Sequence, residues 1–268
     1  MRRFPLLALG ALGLLTSTVA RADEYYEPQR GPAYQLSLDV DLPLFLVGAS
    51  VASSFLFLDE LHGPSCAPVC DRSKLNFLDR PAAGLYDKTW ANVGDIATAA
   101  TMVFAPVVVL INEGLGNGAN DDVVLLETAL MTSALQISLS YAVERARPRV
   151  YGDRAPLAER TDANAARSFF SGHTANTVGI SVAAARTFQR LHEPALAWTV
   201  LGIGLAGSAV VGVARVMSGG HFPSDVLAGA AAGGGIGIMV PALHRAHLSL
   251  TPMVTQDAAG AVLVGVLP

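Results

Sequence analysis

Only two cysteines occur in 268 residues, Cys66 and Cys70. Two thiols are too few for a structural zinc site. Four positions apart in a chain that leaves the cytoplasm, they read as a disulfide closing a small loop. Charge is scarce too. Asp, Glu, Lys and Arg make up 15% of the chain and the net charge is −4, which excludes the basic surface that nucleic-acid binding requires. There is no internal repeat and no low-complexity tract. A Gly-x-Ser-x-Gly nucleophile elbow is also missing, because Ser171 lies between Phe169 and His173 rather than between two glycines.

What remains is apolar and rich in small residues. Mean hydropathy is +0.43, and Gly and Ala recur inside the helical stretches, as in closely packed bundles or membrane spans. Residues 1–22 carry a basic start at Arg2-Arg3, an apolar run and a small-x-small site at Ala20-Arg21-Ala22, which reads as a secretory signal. Residues 23–41 form an irregular polar lead-in. Residues 42–247 hold the helical domain, with segments at Leu42–Leu58, Trp90–Asn112, Asp121–Arg147, His173–Leu191, Ala195–Val213 and Pro223–Leu243. Asp121 and Asp122 are expected at a helix start, and Pro148 is expected to stop the helix at Arg147. In residues 248–268, two apolar runs around Asp257–Gly260 predict a C-terminal β-hairpin.

Three stretches carry chemistry. Arg147-Pro148 closes a long apolar helix. Ser171-Gly172-His173 sits at a loop-to-helix junction, where free amides and the helix dipole favour an anion and Ser171 is a candidate N-cap. Arg215, His221 and Asp225 lie between two further apolar segments. Arginine grips phosphate bidentately, and histidine serves as acid, base or nucleophile near neutral pH.

Together these stretches resemble the signature of the type 2 phosphatidic acid phosphatase family, which shares its fold with the vanadium haloperoxidases. That pattern reads Lys, six residues, Arg-Pro; then Pro-Ser-Gly-His; then Ser-Arg, five residues, His, three residues, Asp. The match covers roughly residues 75–243. It departs at Ser140, where the pattern has Lys, and at Phe170 and Ala214. The resemblance implies an all-α, six-helix bundle and a metal-independent phosphatase. His221 would be the nucleophile forming a phosphohistidine, Asp225, four residues on and so on the same face of a helix, would orient it, and His173 would protonate the leaving alcohol. Arg147, Arg215, the Ser171 hydroxyl and the Gly172 amide would hold phosphate. Arg145, Arg149 and Arg167 are candidates to replace the missing Lys, with Arg145 off the Ser140/Arg147 helix face.

The implied substrate is a phosphorylated small molecule, a lipid phosphate or a lipid diphosphate, with no cofactor. Under the haloperoxidase alternative vanadate would occupy the pocket. A non-catalytic envelope protein is the third reading, on the strength of Ser140. A metal site from His173, His221 and Asp225 competes with two arginines for the same pocket. Glu127 and Glu144 read as structural partners of arginine, and His192, His244 and His247 as surface residues. Hydropathy points to membrane association with a periplasm-facing site. The acidic turn Glu113–Asp122 and a cleaved leader fit a soluble periplasmic bundle instead. The sequence does not assign an oligomeric state.

Overall fold

The computed structural model describes residues 31–54, 63–244, 247–254 and 259–266. The expected leader and the last residues of the first expected helix lie outside them. The bundle is all-α: α1 Leu38–Ser54, α2 Lys88–Val143, α3 Leu157–Thr161, α4 Gly172–Arg190, α5 Pro194–Met217 and α6 Pro223–Leu243. Beyond α6, β1 His247–Val254 and β2 Ala259–Val266 pair antiparallel, with Leu250 opposite Leu263.

α2 is two arms rather than one rod. Gly114 adopts φ 73° and ψ 172°, a conformation that costs glycine little. A Cβ on Gly118 would come within 2.9 Å of the Leu110 Cα. Eight residues of straight helix would hold those positions about 12 Å apart, so the chain doubles back. The second arm therefore begins before Asp121. Instead of capping a helix start, the Asp121 carboxylate accepts from the Ala33 and Tyr34 amides at 2.9 and 3.1 Å. Those bonds fasten the lead-in to this end of the bundle.

The second arm also stops short of Arg147. Val143 is its last residue, and Glu144 turns left-handed at φ 48°. Pro148 forces Arg147 to be extended, and it sits at φ −72°, ψ 155°. Extended residues 145–147 then bond to residues 165–168. Ser168 N–H donates to the Arg145 carbonyl at 2.8 Å, and Arg147 N–H to that of Ala165 at 2.8 Å. The helix-face argument about Arg145 consequently does not apply.

α4 is the axis, packed against α2, α5 and α6. It and α6 touch almost backbone to backbone. Glycines at 229, 233 and 237 face the carbonyls of Ser171, Ala175 and Gly179, where an added Cβ would collide. This row seats the start of α6 on the start of α4.

Among the described residues, three apolar helices are long enough to cross a membrane by length and composition: Lys88–Tyr151, Pro194–Met217 and Pro223–Leu243. No more than 33% of the most apolar window of each is buried. Ile96, Ile111, Leu115, Trp198 and Leu227 point outward, an apolar exterior larger than soluble bundles usually present.

Candidate active site

The starts of α4 and α6, the ends of α2 and α5 and the first turns of α2 meet at one end of the bundle. Ser171 is the residue preceding α4, but its hydroxyl does not cap the helix. The Oγ is paired with Thr174 Oγ1 at 3.0 Å, and the residue is fully buried. This corrects the expectation of a serine N-cap. The buried Thr174 hydroxyl takes the Ser171 hydroxyl instead, which leaves the first-turn N–H groups to other ligands. Gly172 packs against the Gln136 side chain, with 3.1 Å from a would-be Cβ to Gln136 Oε1. Gln136 lies one helical turn before Ser140 on the same face, a position the motif did not mark.

His221 precedes α6 in a turn made by Gly219 at φ 72°. The residue is 3% exposed, and Nδ1 lies 2.6 Å from the Ser168 carbonyl. A carbonyl only accepts, so Nδ1 carries the proton and Nε2 keeps its lone pair. Burial, then repulsion from Arg147 and Arg215, holds this imidazole well below its ordinary range, despite the Ser168 bond. It is neutral at physiological pH.

Asp225 was expected to share a helix face with His221. It does not, because Pro223 starts α6 two residues after His221. The carboxylate instead accepts from Ser168 Oγ at 2.6 Å and from Phe222 N–H at 2.9 Å, and it is ion-paired with Arg145. Its influence on His221 passes through Ser168. Arg145 also bonds Ser224 Oγ at 2.8 Å and Asp79 Oδ2 at 2.6 Å, and it stacks 4.5 Å above the Phe222 ring. It joins two buried carboxylates and is committed to structure rather than to phosphate. Asp79, which the sequence did not flag, also receives the Ser224 amide at 3.0 Å. Burial works against its charge, but bonds from Ser224 and Arg145 outweigh that and keep it below the usual carboxylate range.

Arg147, Arg149 and Arg215 converge closely enough that the charges of Arg149 and Arg215 both bear on Arg147. The backbones explain the meeting. Arg149 N–H donates to the Gly219 carbonyl at 3.2 Å, and His221 N–H to that of Arg215 at 3.1 Å. Arg147 Nε is held by the Asn164 carbonyl at 2.9 Å. Of the three candidates to replace the missing Lys, Arg149 joins this cluster. Arg167 lies 3.5 Å over the Tyr141 ring. It helps line a cavity of about 330 Å³ with Gln136, Ser140 and Arg147.

His173 keeps 37% of its side-chain surface exposed, and its Nε2 is 3.5 Å from Asp95 Oδ1. The same oxygen accepts from Arg215 Nη1 at 2.9 Å. Asp95, from the first arm of α2, thus bridges His173 and Arg215; no motif points to it. Burial, then Arg215, outweighs Asp95 and lowers the His173 pKa to about 4.

Residues 123–248 match the family model of the PAP2 superfamily, which spans all three motifs. Among solved structures, the chain is similar to the first transmembrane PAP2 type phosphatidylglycerolphosphate phosphatase from Bacillus subtilis. Identity is 19% and the TM-score is 0.45, over 76% of this chain and 95% of that one. No curated protein matches. Asp79 and Asp95 both lie upstream of the PAP2 match, so the site is completed by residues from outside it.

Proposed function

We propose that the protein is a phosphatase that removes phosphate from a phosphorylated lipid at this end of the bundle. The carrying observation is the His221 imidazole, neutral, buried and fixed through Nδ1, beside a cluster of arginines and a second, accessible histidine. His221 Nε2 attacks phosphorus while Arg147, Arg149 and Arg215 neutralise the phosphoryl oxygens, the main demand of this chemistry. The P–O bond to the leaving group breaks, and the leaving oxygen takes a proton from His173. Water, deprotonated by His173, then attacks the phosphohistidine, returning His221 and releasing inorganic phosphate. No step uses a metal.

A lipid is favoured by the surroundings. An apolar groove of about 480 Å³ runs from Thr174 and Pro223, beside the histidines, along α4, α5 and α6 past Val178, Leu205 and Leu227. It suits an acyl chain. The outward apolar faces support a bundle embedded in a membrane, with export and a periplasm-facing site as part of this reading.

The test is hydrolysis by the full chain in detergent with EDTA, comparing phosphatidate and a lipid diphosphate with p-nitrophenyl phosphate. Lipid turnover that disappears in His221→Ala, with label trapped on histidine in the unmodified protein, is the expected result. Undiminished turnover in His221→Ala removes the proposed nucleophile. A preference for the soluble ester removes the lipid assignment.

A further inference from the structure

The opposite end of the bundle holds a second polar cluster unused by the reaction above. Asp41 comes from the first turn of α1, Glu127 from the second arm of α2, and His244 from the end of α6. By sequence, His244 reads as a surface residue and Glu127 as a partner of arginine. Instead, both side chains are fully buried and face each other, with Glu127 Oε2 3.1 Å from His244 Nε2. Asp41 Oδ1 is 2.9 Å from the same nitrogen, and the Asp41 side chain is 12% exposed. Among the described residues, these three offer one ligand atom each within 4.8 Å of one another.

Counting protons exposes a deficit. His244 Nδ1 lies 3.0 Å from the Val240 carbonyl and donates its proton there. At most one further N–H, on Nε2, is left for two carboxylates. Asp41 Oδ2 already takes the Ser37 amide. Both oxygens of Glu127 lack a hydrogen bond, although a buried carboxylate left so is costly. An imidazolium balances only one of the two carboxylates, so without a cation the other must be held protonated.

We propose that Asp41, Glu127 and His244 bind one divalent cation. A neutral imidazole with two carboxylates and a dication is charge-balanced. Nδ1–H bound to a backbone carbonyl is the arrangement that orients metal-ligating histidines. Donor atoms on cations with bonds of about 2.1 Å stand roughly 3.0 to 3.4 Å apart, close to the 2.9 and 3.1 Å between His244 Nε2 and the two carboxylate oxygens. One nitrogen and two oxygens suit Zn²⁺ or Mn²⁺ better than a soft ion. His221 and His244 flank a helix of 21 residues, so the two sites are about 30 Å apart. The ion therefore clamps α1, α2 and α6 and takes no part in phosphoryl transfer.

The test uses the full chain in detergent, stripped with chelator and titrated with Zn²⁺ or Mn²⁺ alone. Elemental analysis should find one equivalent, and Tm should rise with metal concentration. Glu127→Gln and His244→Ala should each weaken binding by about 100-fold or more, whereas His221→Ala should bind as the unmodified protein does. Should those variants not fold, Co²⁺ added to the unmodified protein should give ligand-field bands that Zn²⁺ abolishes. Absence of bound metal and of those bands, or equal binding by Glu127→Gln, overturns the assignment. Chelation that lowers Tm while lipid hydrolysis persists separates this site from the catalytic one.

Discussion

The Ser168 carbonyl accepts the Nδ1 proton of His221 at 2.6 Å, and the Ser168 hydroxyl donates to Asp225 at 2.6 Å. One residue thus orients the imidazole with its backbone and is itself held by its side chain. Ser168→Ala deletes only the second bond. A single neutral-to-charged hydrogen bond is worth about 1.5–3 kcal/mol, part of which the Phe222 amide and Arg145 retain on Asp225. Steady-state kinetics should show kcat reduced by about tenfold with KM little changed. A loss as complete as that of His221→Ala would mean that Ser168 acts directly on substrate.

His173 with a pKa near 4 is unprotonated in the free protein at neutral pH. The proton that His173 passes to the leaving group must then arrive with the substrate, as a phosphate monoanion. Since phosphate monoesters lose their second proton near pH 6, kcat/KM should fall as pH rises through that value and level off below it. His173→Ala should cost about 10²–10⁴ in rate on an alkyl phosphate. The loss should be far smaller on p-nitrophenyl phosphate, whose leaving group needs no proton. Equal losses on both would deny His173 the acid role.

Arg145→Ala should be among the most damaging substitutions that touch no substrate. It leaves Asp79 and Asp225, both fully buried, without their cation. Breaking a buried pair by removing one partner costs about 3–5 kcal/mol. Thermal unfolding should show a large drop in Tm, and Arg145→Lys should recover only part of it, because one ammonium lacks the fork that spans both acids.

Ser140 is buried and returns its hydroxyl to the Ile137 carbonyl at 2.8 Å. It lines the cavity shared with Arg147 and Arg167, so a longer side chain has room to extend. Ser140→Lys should raise kcat/KM by about tenfold, the value of one added charge-assisted bond to phosphate. No change would mean that Arg149 already fills the electrostatic role of the absent Lys.

Helix positions were legible because apolar runs bounded by Pro and Gly leave few other options. The convergence of Arg147, His173, Arg215 and His221 followed from their places at helix ends. Less legible were the partners supplied by tertiary packing. Asp79 and Asp95 sit in stretches with no distinguishing spacing, and only the docking of residues 63–87 and the first arm of α2 brings them in. Asp225 misled for a local reason: a four-residue spacing implies a shared face only when both residues are helical, and Pro223 begins the helix between them. His244 looked peripheral because it ends a helix; its burial depends on α1 crossing that end.

Asp95 has a consequence for turnover. With a carboxylate seated against Arg215, the pocket carries an anion of its own. Inorganic phosphate released by the proposed reaction must evict that anion to linger, so product should leave readily. Replacing Asp95 with Asn should make free phosphate a tighter inhibitor, exposing how the protein trades grip on its substrate for quick escape of what it makes.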